Sequence, residues 1–416
     1  MESVLESLLN LPNVRVLNSE FTEHGDLIIR VESTQRGTTC RCCGREIDQL
    51  HGYDRALRLR HLPIFERRVT IEIRPRRYRC RYCEGGPTTT QRLDWYEPNS
   101  PHTKSFEQDM LRALLNATVA DVSCKHGLSE DAVEGIVERS LARQIDGDTL
   151  DSLGIVGIDE IALTKGHRDF VAIVTSRDTQ GRMRLLGILA DRRKETVAEF
   201  LASIPKRLKA TIKQVCTDRY EGFVNAAQEE LPEAEVVVDR FHVAKAYRGC
   251  ADTLRKQEFK RLKAELSTAD YQSTVKGTRW LFRKSWTALS KDEQQRLERL
   301  FEYAPALRAV HMMREILTVI FETAESKAQA TEWLGMWRQF LTYHAIEGFE
   351  RFLTTLDNHF DEITNYFLDR HTSGFVEGFN NKVKVLKRRC YGIFNLSHLF
   401  QRLQLDLEGY RLFGKA

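Results

Sequence analysis

Apolar and polar positions alternate twice near the start of the chain, in VRVLNSEF and DLIIRVES around a Gly25-Asp26 turn, which predicts a hairpin after a short helix. Alternation returns in RVTIEIRPRRYR. At 104–145 the period becomes helical, in FEQDMLRALLNA, TVADVSCKHG and LSEDAVEGIVERSLAR, with Gly127 ending the second run and Ser129 placed to cap the third. After an Asp146-Gly147-Asp148 turn come three strand patterns, GIVGIDEIAL, DFVAIVTS and RLLGILA. A helix TVAEFLASIPKRL, a strand TIKQVCTD, a helix GFVNAAQEEL and a strand EVVVDRFHV follow. From about 244 to 370 the chain reads as charged helix marked by Trp280, Trp286, Trp333 and Trp337, and a last helix starts near Ser373.

Three successive strands followed by alternating helix and strand is the order of a ribonuclease-H-like mixed sheet. The fold class expected is α+β and multidomain: an N-terminal zinc ribbon and helix-turn-helix, then a ribonuclease-H-like mixed α/β catalytic core interrupted by an all-α insertion. The expected segments are 1–39 (helix and hairpin packing), 40–100 (zinc ribbon), 101–147 (helix-turn-helix), 148–243 (first part of the core), 244–370 (all-α insertion) and 371–416 (C-terminal helices of the core). The tryptophans of the insertion are read as bundle core before base-stacking platforms.

Composition is that of an ordinary globular protein, with 416 residues, 42% apolar, 29% charged and a net charge of +4. No apolar run approaches the roughly 18 residues of a membrane span, and the acidic start MESVLESLLNLP lacks the features of a signal peptide, so a cytosolic location is expected. Local clustering says more. Between Cys40 and Arg92 lie thirteen arginines, no lysine and six acids, a patch suited to a polyanion such as nucleic acid or, more simply, a solvated basic face. Within it, CRCCG and CRYCEGG each offer two thiols at the spacing that aims both at one tetrahedral zinc, which nominates Cys40, Cys43, Cys80 and Cys83, with Cys42 as the rival to Cys40. The third run of the helix-turn-helix carries Glu130, Asp131, Glu134 and Glu138, which would repel phosphates, so a purely structural three-helix unit stands beside a base-reading one.

Three acids stand out. Asp159 lies inside the apolar strand IVGIDEIAL, where a carboxylate is costly unless a cation or hydrogen bond offsets it. Asp218 ends the strand QVCTD, either at a ligand site or as a turn acid. In SGFVEGFNNKVKVLKRR, helical spacing gathers Val376, Phe379, Val383 and Leu386 on one face and Glu377, Asn380, Asn381, Lys384 and Arg388 on the next. Carboxylates from two strands and a facing helix suit Mg²⁺, which takes hard oxygen ligands and can activate both sides of an in-line attack on a phosphodiester.

As a set, GIDEIAL (157–163), CTDRYEGF (216–223), VVDRFHVAK (237–245) and SGFVEGFNNKVKVLKRRCYGIFN (373–395), with the two CxxC pairs before them, resemble a DDE transposase of the ISL-three family of bacterial insertion sequences. The resemblance implies Asp159, Asp218 and Glu377 as catalytic ligands of Mg²⁺ or Mn²⁺. It implies supporting roles for Asp239 and His242, with Asp239 also a rival to Asp218 as ligand, and Asn380, Asn381 and Lys384 are expected to support the same site. It further implies binding of terminal inverted repeats, strand cleavage and transfer, target DNA as second substrate, and at least a dimer on DNA. Zn²⁺ is expected in the ribbon. Arg67, Arg68, Arg74, Arg76, Arg77 and Arg79 in the ribbon, and Lys387, Arg388 and Arg389 after the last acid, are the expected backbone contacts. The alternatives are a DNA-binding regulator, that is, a domesticated transposase with an inactive catalytic core, and a ribonuclease-H-like structure-specific nuclease.

Overall fold

The computed structural model describes residues 2–162, 170–343, 346, 348–370, 374–390 and 395–414, with Glu2, Ser3 and Glu377 described in backbone only. The chain divides into two units, residues 1–142 with 401–416, and residues 143–400. Among the described residues no helix is long and apolar enough to cross a membrane.

The first unit opens with α1 (Glu2–Leu9), the hairpin β1 (Val14–Phe21) and β2 (Leu27–Ser33), and short β3 (Thr38–Thr39) and β4 (Glu46–Ile47). β5 (Gln49–Tyr53), β6 (Leu57–Ile64), β7 (Arg67–Ile73), β8 (Arg76–Arg79) and β9 (Thr88–Thr90) follow. One sheet has the order β1-β2-β7-β6, with β2 and β7 parallel, and a second runs β5-β8-β9. Strict alternation drives the first: Leu27, Ile29 and Val31 of β2 and Val69, Ile71 and Ile73 of β7 all turn inward onto Trp95. Three helices complete the unit, α2 (Lys104–Ala113), α3 (Val119–His126) and α4 (Glu130–Ser140), and their ends are set by local chemistry. Thr118 and Asp121 form a reciprocal capping box, Gly127 closes α3 in the left-handed conformation at φ 58, and Ser129 caps α4 through Ala132 N–H. Phe106, Met110, Val122, Val133 and Ile136 are the core between these helices. Arg60 of β6 donates to the His126 carbonyl at 2.6 Å, fastening the helices to the sheet.

The second unit starts with β10 (Gly154–Ala162), β11 (Phe170–Arg177) and β12 (Met183–Leu189), then α5 (Lys194–Ser203), α6 (Lys206–Lys209), β13 (Ile212–Thr217), α7 (Glu221–Glu230) and β14 (Glu235–Val238). Its sheet has the order β12-β11-β10-β13-β14, antiparallel from β12 to β10 and parallel from β10 to β14. This is the mixed sheet that the element order predicts. The predicted helix TVAEFLASIPKRL is two helices, because Pro205 has no N–H to continue the first. The strand EVVVDRFHV likewise ends early, at Val238. Asp239 accepts from Phe241 N–H at 2.8 Å and caps α8 (Arg240–Glu265), so RFHV is helical.

A helical block continues through α9 (Thr268–Thr274), α10 (Thr278–Leu281), α11 (Lys291–Tyr303), α12 (Pro305–Thr323), α13 (Lys327–Tyr343), α14 (Glu350–Asn358), α15 (Phe360–Thr364) and α16 (Tyr366–Asp369). Its core centres on Tyr247, whose ring packs near Trp337, Phe349 and Phe352 and whose hydroxyl donates to the Val310 carbonyl. Trp337 is buried and donates to the Met313 carbonyl, Trp286 and Trp333 pack against the same core, and Trp280 alone of the four is largely exposed. Finally α17 (Gly374–Arg389) packs on β10, and α18 (Leu396–Phe413) ends the chain.

The seat of α17 depends on a missing side chain. Val376, Phe379, Val383 and Leu386 are all buried, as their spacing predicts, and Val376 with Phe375 approaches β10 at Gly157. A Cβ at 157 would strike Val376 and meet Phe375 and Thr175 at 3.0 Å. Gly157→Ala is therefore expected to cost about 1–3 kcal/mol, the usual penalty of overpacking, and to displace α17. Denaturant unfolding measures the first effect, and faster amide hydrogen exchange along α17 in protein that is still folded measures the second.

Candidate functional site

Two clusters of chemically capable residues emerge. In the first unit, Cys40, Cys43, Cys80 and Cys83 bring their sulfurs within 4.8 Å of one another. The Cys43 and Cys80 sulfurs are 3.8 Å apart, close to the edge of a tetrahedron built on zinc–sulfur bonds of roughly 2.3 Å. Cys42 is exposed and instead donates its backbone N–H to Cys40 Sγ at 3.4 Å, while Tyr82 N–H does the same for Cys80. The turn thus decides between Cys40 and Cys42. Backbone N–H groups of Cys43 and Cys42 push the Cys40 thiol down to about 6, whereas hydrogen bonding with Cys43 and Cys80 pushes Cys83 up to about 12. Four sulfurs held at this spacing suit a dication.

The second cluster lies in the other unit, in a cleft of about 1040 Å³ lined by polar residues. β10 and β13 are parallel neighbours whose last paired residues are Ile158 and Thr217, so Asp159 and Asp218 each lie one step beyond, on strands roughly 4.8 Å apart. Both line the cleft. Burial drives the Asp159 carboxyl above the usual range and the charge of Asp218 adds to this, against Glu160 N–H, His242 and Asn380. Burial also raises Asp218, reinforced by Glu160 and opposed by Tyr220 N–H, His242 and Arg219.

α17 brings Asn380 and Lys384 to the same cleft. Asn380 Nδ2 donates to Asp159 Oδ2 at 2.5 Å, while its buried Oδ1 has no partner among the described residues. Glu377 lies in the first turn of α17, but its side chain is outside the described residues. His242, in the first turn of α8, lines the cleft. Asp239 is not among the residues lining the cleft; it is buried and caps α8. Asn381 is exposed and does not line the cleft.

The expected DNA contacts divide in the same way. Arg67 donates to the Gly25 carbonyl at 3.0 Å, Arg76 faces Glu32 at 3.5 Å, and Arg77 donates to Thr88 Oγ1 at 2.5 Å. Arg68, Arg74 and Arg79 are exposed, with Arg74 beside the Tyr53 ring. On α17, Lys387 donates to the Ala162 carbonyl at 2.6 Å and so ties the helix to the end of β10, Arg388 is exposed and Arg389 is half-buried. Sequence reasoning missed Glu160 and Arg192, which pair at 2.6 Å on the cleft wall, the guanidinium resting between the Phe170 and Tyr220 rings. The spacing of the strand pattern carried no sign of that pair, because Arg192 follows β12 and reaches β10 only across the sheet.

A transposase family model matches residues 156–403, more than half of the chain. The helix-turn-helix domain of transposase family ISL3 matches residues 91–141, and the zinc-finger of transposase IS204/IS1001/IS1096/IS1165 matches residues 36–83. The chain belongs to the ISL3 family of transposases. The zinc ribbon, helix-turn-helix and mixed α/β core expected from the sequence are thereby borne out, as is the function of an insertion-sequence DNA transposase. Among curated relatives, the transposase for insertion sequence element IS1001 of Bordetella parapertussis is 27% identical over 384 residues, covering 92% of each chain. The transposase for IS1557 of Mycobacterium tuberculosis is 23% identical over 402 residues, covering 90% of this chain and 88% of its own. Among solved structures, the Drosophila P element transposase strand transfer complex has a TM-score of 0.43 at 12% identity, covering 74% of this chain and 93% of that one.

The sulfur geometry gives a direct test. Purified protein is expected to carry one zinc per chain by metal analysis, Cys80→Ser to lose it and Cys42→Ser to retain it. Retention by Cys80→Ser together with loss by Cys42→Ser would show a different ligand set.

Proposed function

We propose that this ISL3 transposase cuts and joins DNA at the ends of its insertion sequence by metal-dependent phosphodiester chemistry at Asp159, Asp218 and Glu377. The observation that carries the reading is the cleft edge, where two half-buried carboxylates of raised proton affinity stand on adjacent parallel strands next to an amide oxygen without a partner among the described residues. An all-oxygen donor set of this kind fits a hard divalent cation, Mg²⁺ or Mn²⁺. Bound there, paired divalent ions would supply Lewis-acid activation of the phosphodiester and of the attacking hydroxyl.

The chain's own side chains do the positioning. Asn380 fixes Asp159 Oδ2 through Nδ2, and the Glu160 N–H holds Oδ1 at 2.7 Å. Helical spacing places position 377 one turn before Asn380, which supports the third carboxylate being delivered from the same helix. Lys384 and the clamped Arg192 present positive charge to a DNA strand without competing for the metal. The helix-turn-helix and the outward arginines of the ribbon, Arg68, Arg74 and Arg79, hold the terminal inverted repeat, and concerted work on two ends calls for at least a dimer on DNA.

Glu377→Gln is expected to bind a labelled element end with near-normal affinity and to lose Mg²⁺-dependent cleavage by more than about a hundredfold, beyond the cost of disturbing an outer partner of a metal. Normal cutting by this variant would remove Glu377 from the site.

A second expectation follows from the raised carboxyls. Without an ion, the folded state prefers Asp159 and Asp218 protonated, so their contribution to stability is present at low pH and is lost as pH rises through their folded pKa values. Saturating Mn²⁺ should therefore raise Tm at neutral pH by roughly 2–4 °C, by less as protons compete at acid pH, and not at all in Asp159→Asn. Differential scanning fluorimetry with and without Mn²⁺ measures this.

A further inference from the structure

The cleft has a second kind of lining that the metal chemistry does not use. Beside the acids lie Arg219, from the turn after β13, Lys245 on α8 and Arg351 on α14. Three separate elements contribute one cation each. Among the described residues none of the three makes a salt bridge, whereas Arg255, Arg261, Arg314 and Arg338 of the neighbouring helices are all paired with acids. The difference is not one of exposure alone, since Arg219 is half-buried and its Nε is buried with no hydrogen-bond partner among the described residues.

A desolvated guanidinium N–H without an acceptor is unfavourable, and the deficit is removed only by an oxygen brought from outside. Two of the guanidiniums also converge. The half-buried Cys250 thiol on α8 is pushed up first by burial, then pulled down by Arg351, raised by Glu350 and pulled down by Arg219, so both arginines act on one point. Glu350 accepts from Gly348 N–H at 3.3 Å and is the acid nearest in sequence to Arg351. Burial holds the Arg219 guanidinium below its usual range, the nearby Asp218 offsets part of this and Arg351 adds repulsion, so a further anion at this wall is favoured. Arginine's planar fork matches phosphate oxygens, and a mobile lysine adds a point charge.

We propose that Arg219, Lys245 and Arg351 form a phosphate site in the catalytic cleft, gripping a backbone phosphodiester that flanks the scissile one. The site deepens the transposase reading and rests on it for the identity of the anion. It also gives the all-α block a task in substrate binding, because Arg351 comes from that block. A DNA strand entering the cleft is held on the acidic edge through metal and on this wall by direct ion pairing.

The test uses full-length, zinc-loaded protein and a duplex ending in the element's own terminal sequence. Arg351 is exposed, so Arg351→Ala is expected to fold normally, with unchanged Tm and zinc content. Its binding should weaken roughly uniformly across sequences, with the slope of log Kd against log salt reduced by about 0.9, and Arg351→Lys should restore most of that slope. A scan of single uncharged methylphosphonate linkages around the cut should reveal one position beside the scissile phosphate that slows wild-type cleavage at least about tenfold and adds nothing in Arg351→Ala. An unchanged salt slope, with every linkage penalised alike in wild type and variant, overturns the phosphate site. Wild-type protein that binds but never cuts with Mg²⁺ or Mn²⁺ would overturn the catalytic reading instead, and the salt slope would still decide this one.

Discussion

Two carboxylates forced together at a half-buried sheet edge are the feature around which the catalytic unit is arranged. Asp159 and Asp218 repel each other and lose water, and both effects favour their protonated forms. The sheet holds them there regardless, because β10 and β13 are central strands flanked by paired neighbours and filled with Val156, Ile158 and Val215. The core's burial energy thus maintains an electrostatic tension that a divalent cation, bound as proposed, would relieve. Asn380, the Glu160 N–H and His242 moderate it without abolishing it.

That arrangement dictates the role of α17. The helix must lie close to β10 if its polar face is to reach the acids, and close approach requires that β10 have no side chain at 157. Lys387, whose sequence context suggested DNA contact, reaches the Ala162 carbonyl and anchors the helix at the end of the strand. Asp239 was a candidate for the metal, as rival to Asp218, on the strength of the family resemblance of its DRFH stretch. Its carboxylate is instead turned inward to start α8, the helix that carries His242 and Lys245 to the cleft.

The first unit is governed by different physics. Its four-stranded β-sheet and the helices α2 to α4 each have their own core, and backbone N–H groups in the turns at Cys40 and Cys80 orient the sulfurs. The arginines of the ribbon are not equivalent: Arg67, Arg76 and Arg77 serve internal contacts, leaving Arg68, Arg74 and Arg79 outward. Local sequence gives no hint of that division, because it depends on which acid or carbonyl another strand places opposite each side chain.

Local regularities were therefore legible from the chain alone. Period-two and helical patterning located the hairpin, the three capped helices, the mixed sheet and the buried face of α17, since those patterns report which side of an element meets water. The CxxC spacing nominated the zinc ligands for the same local reason, and the acid inside an apolar strand announced Asp159. Folding in three dimensions decided what spacing cannot encode: Cys40 over Cys42, Asp239 as a cap, Asn381 away from the cleft, and the meeting of Arg219 and Lys245 with Arg351, more than a hundred residues further on. A contact between distant segments depends on the packing of everything between them, and no short stretch of residues carries that information.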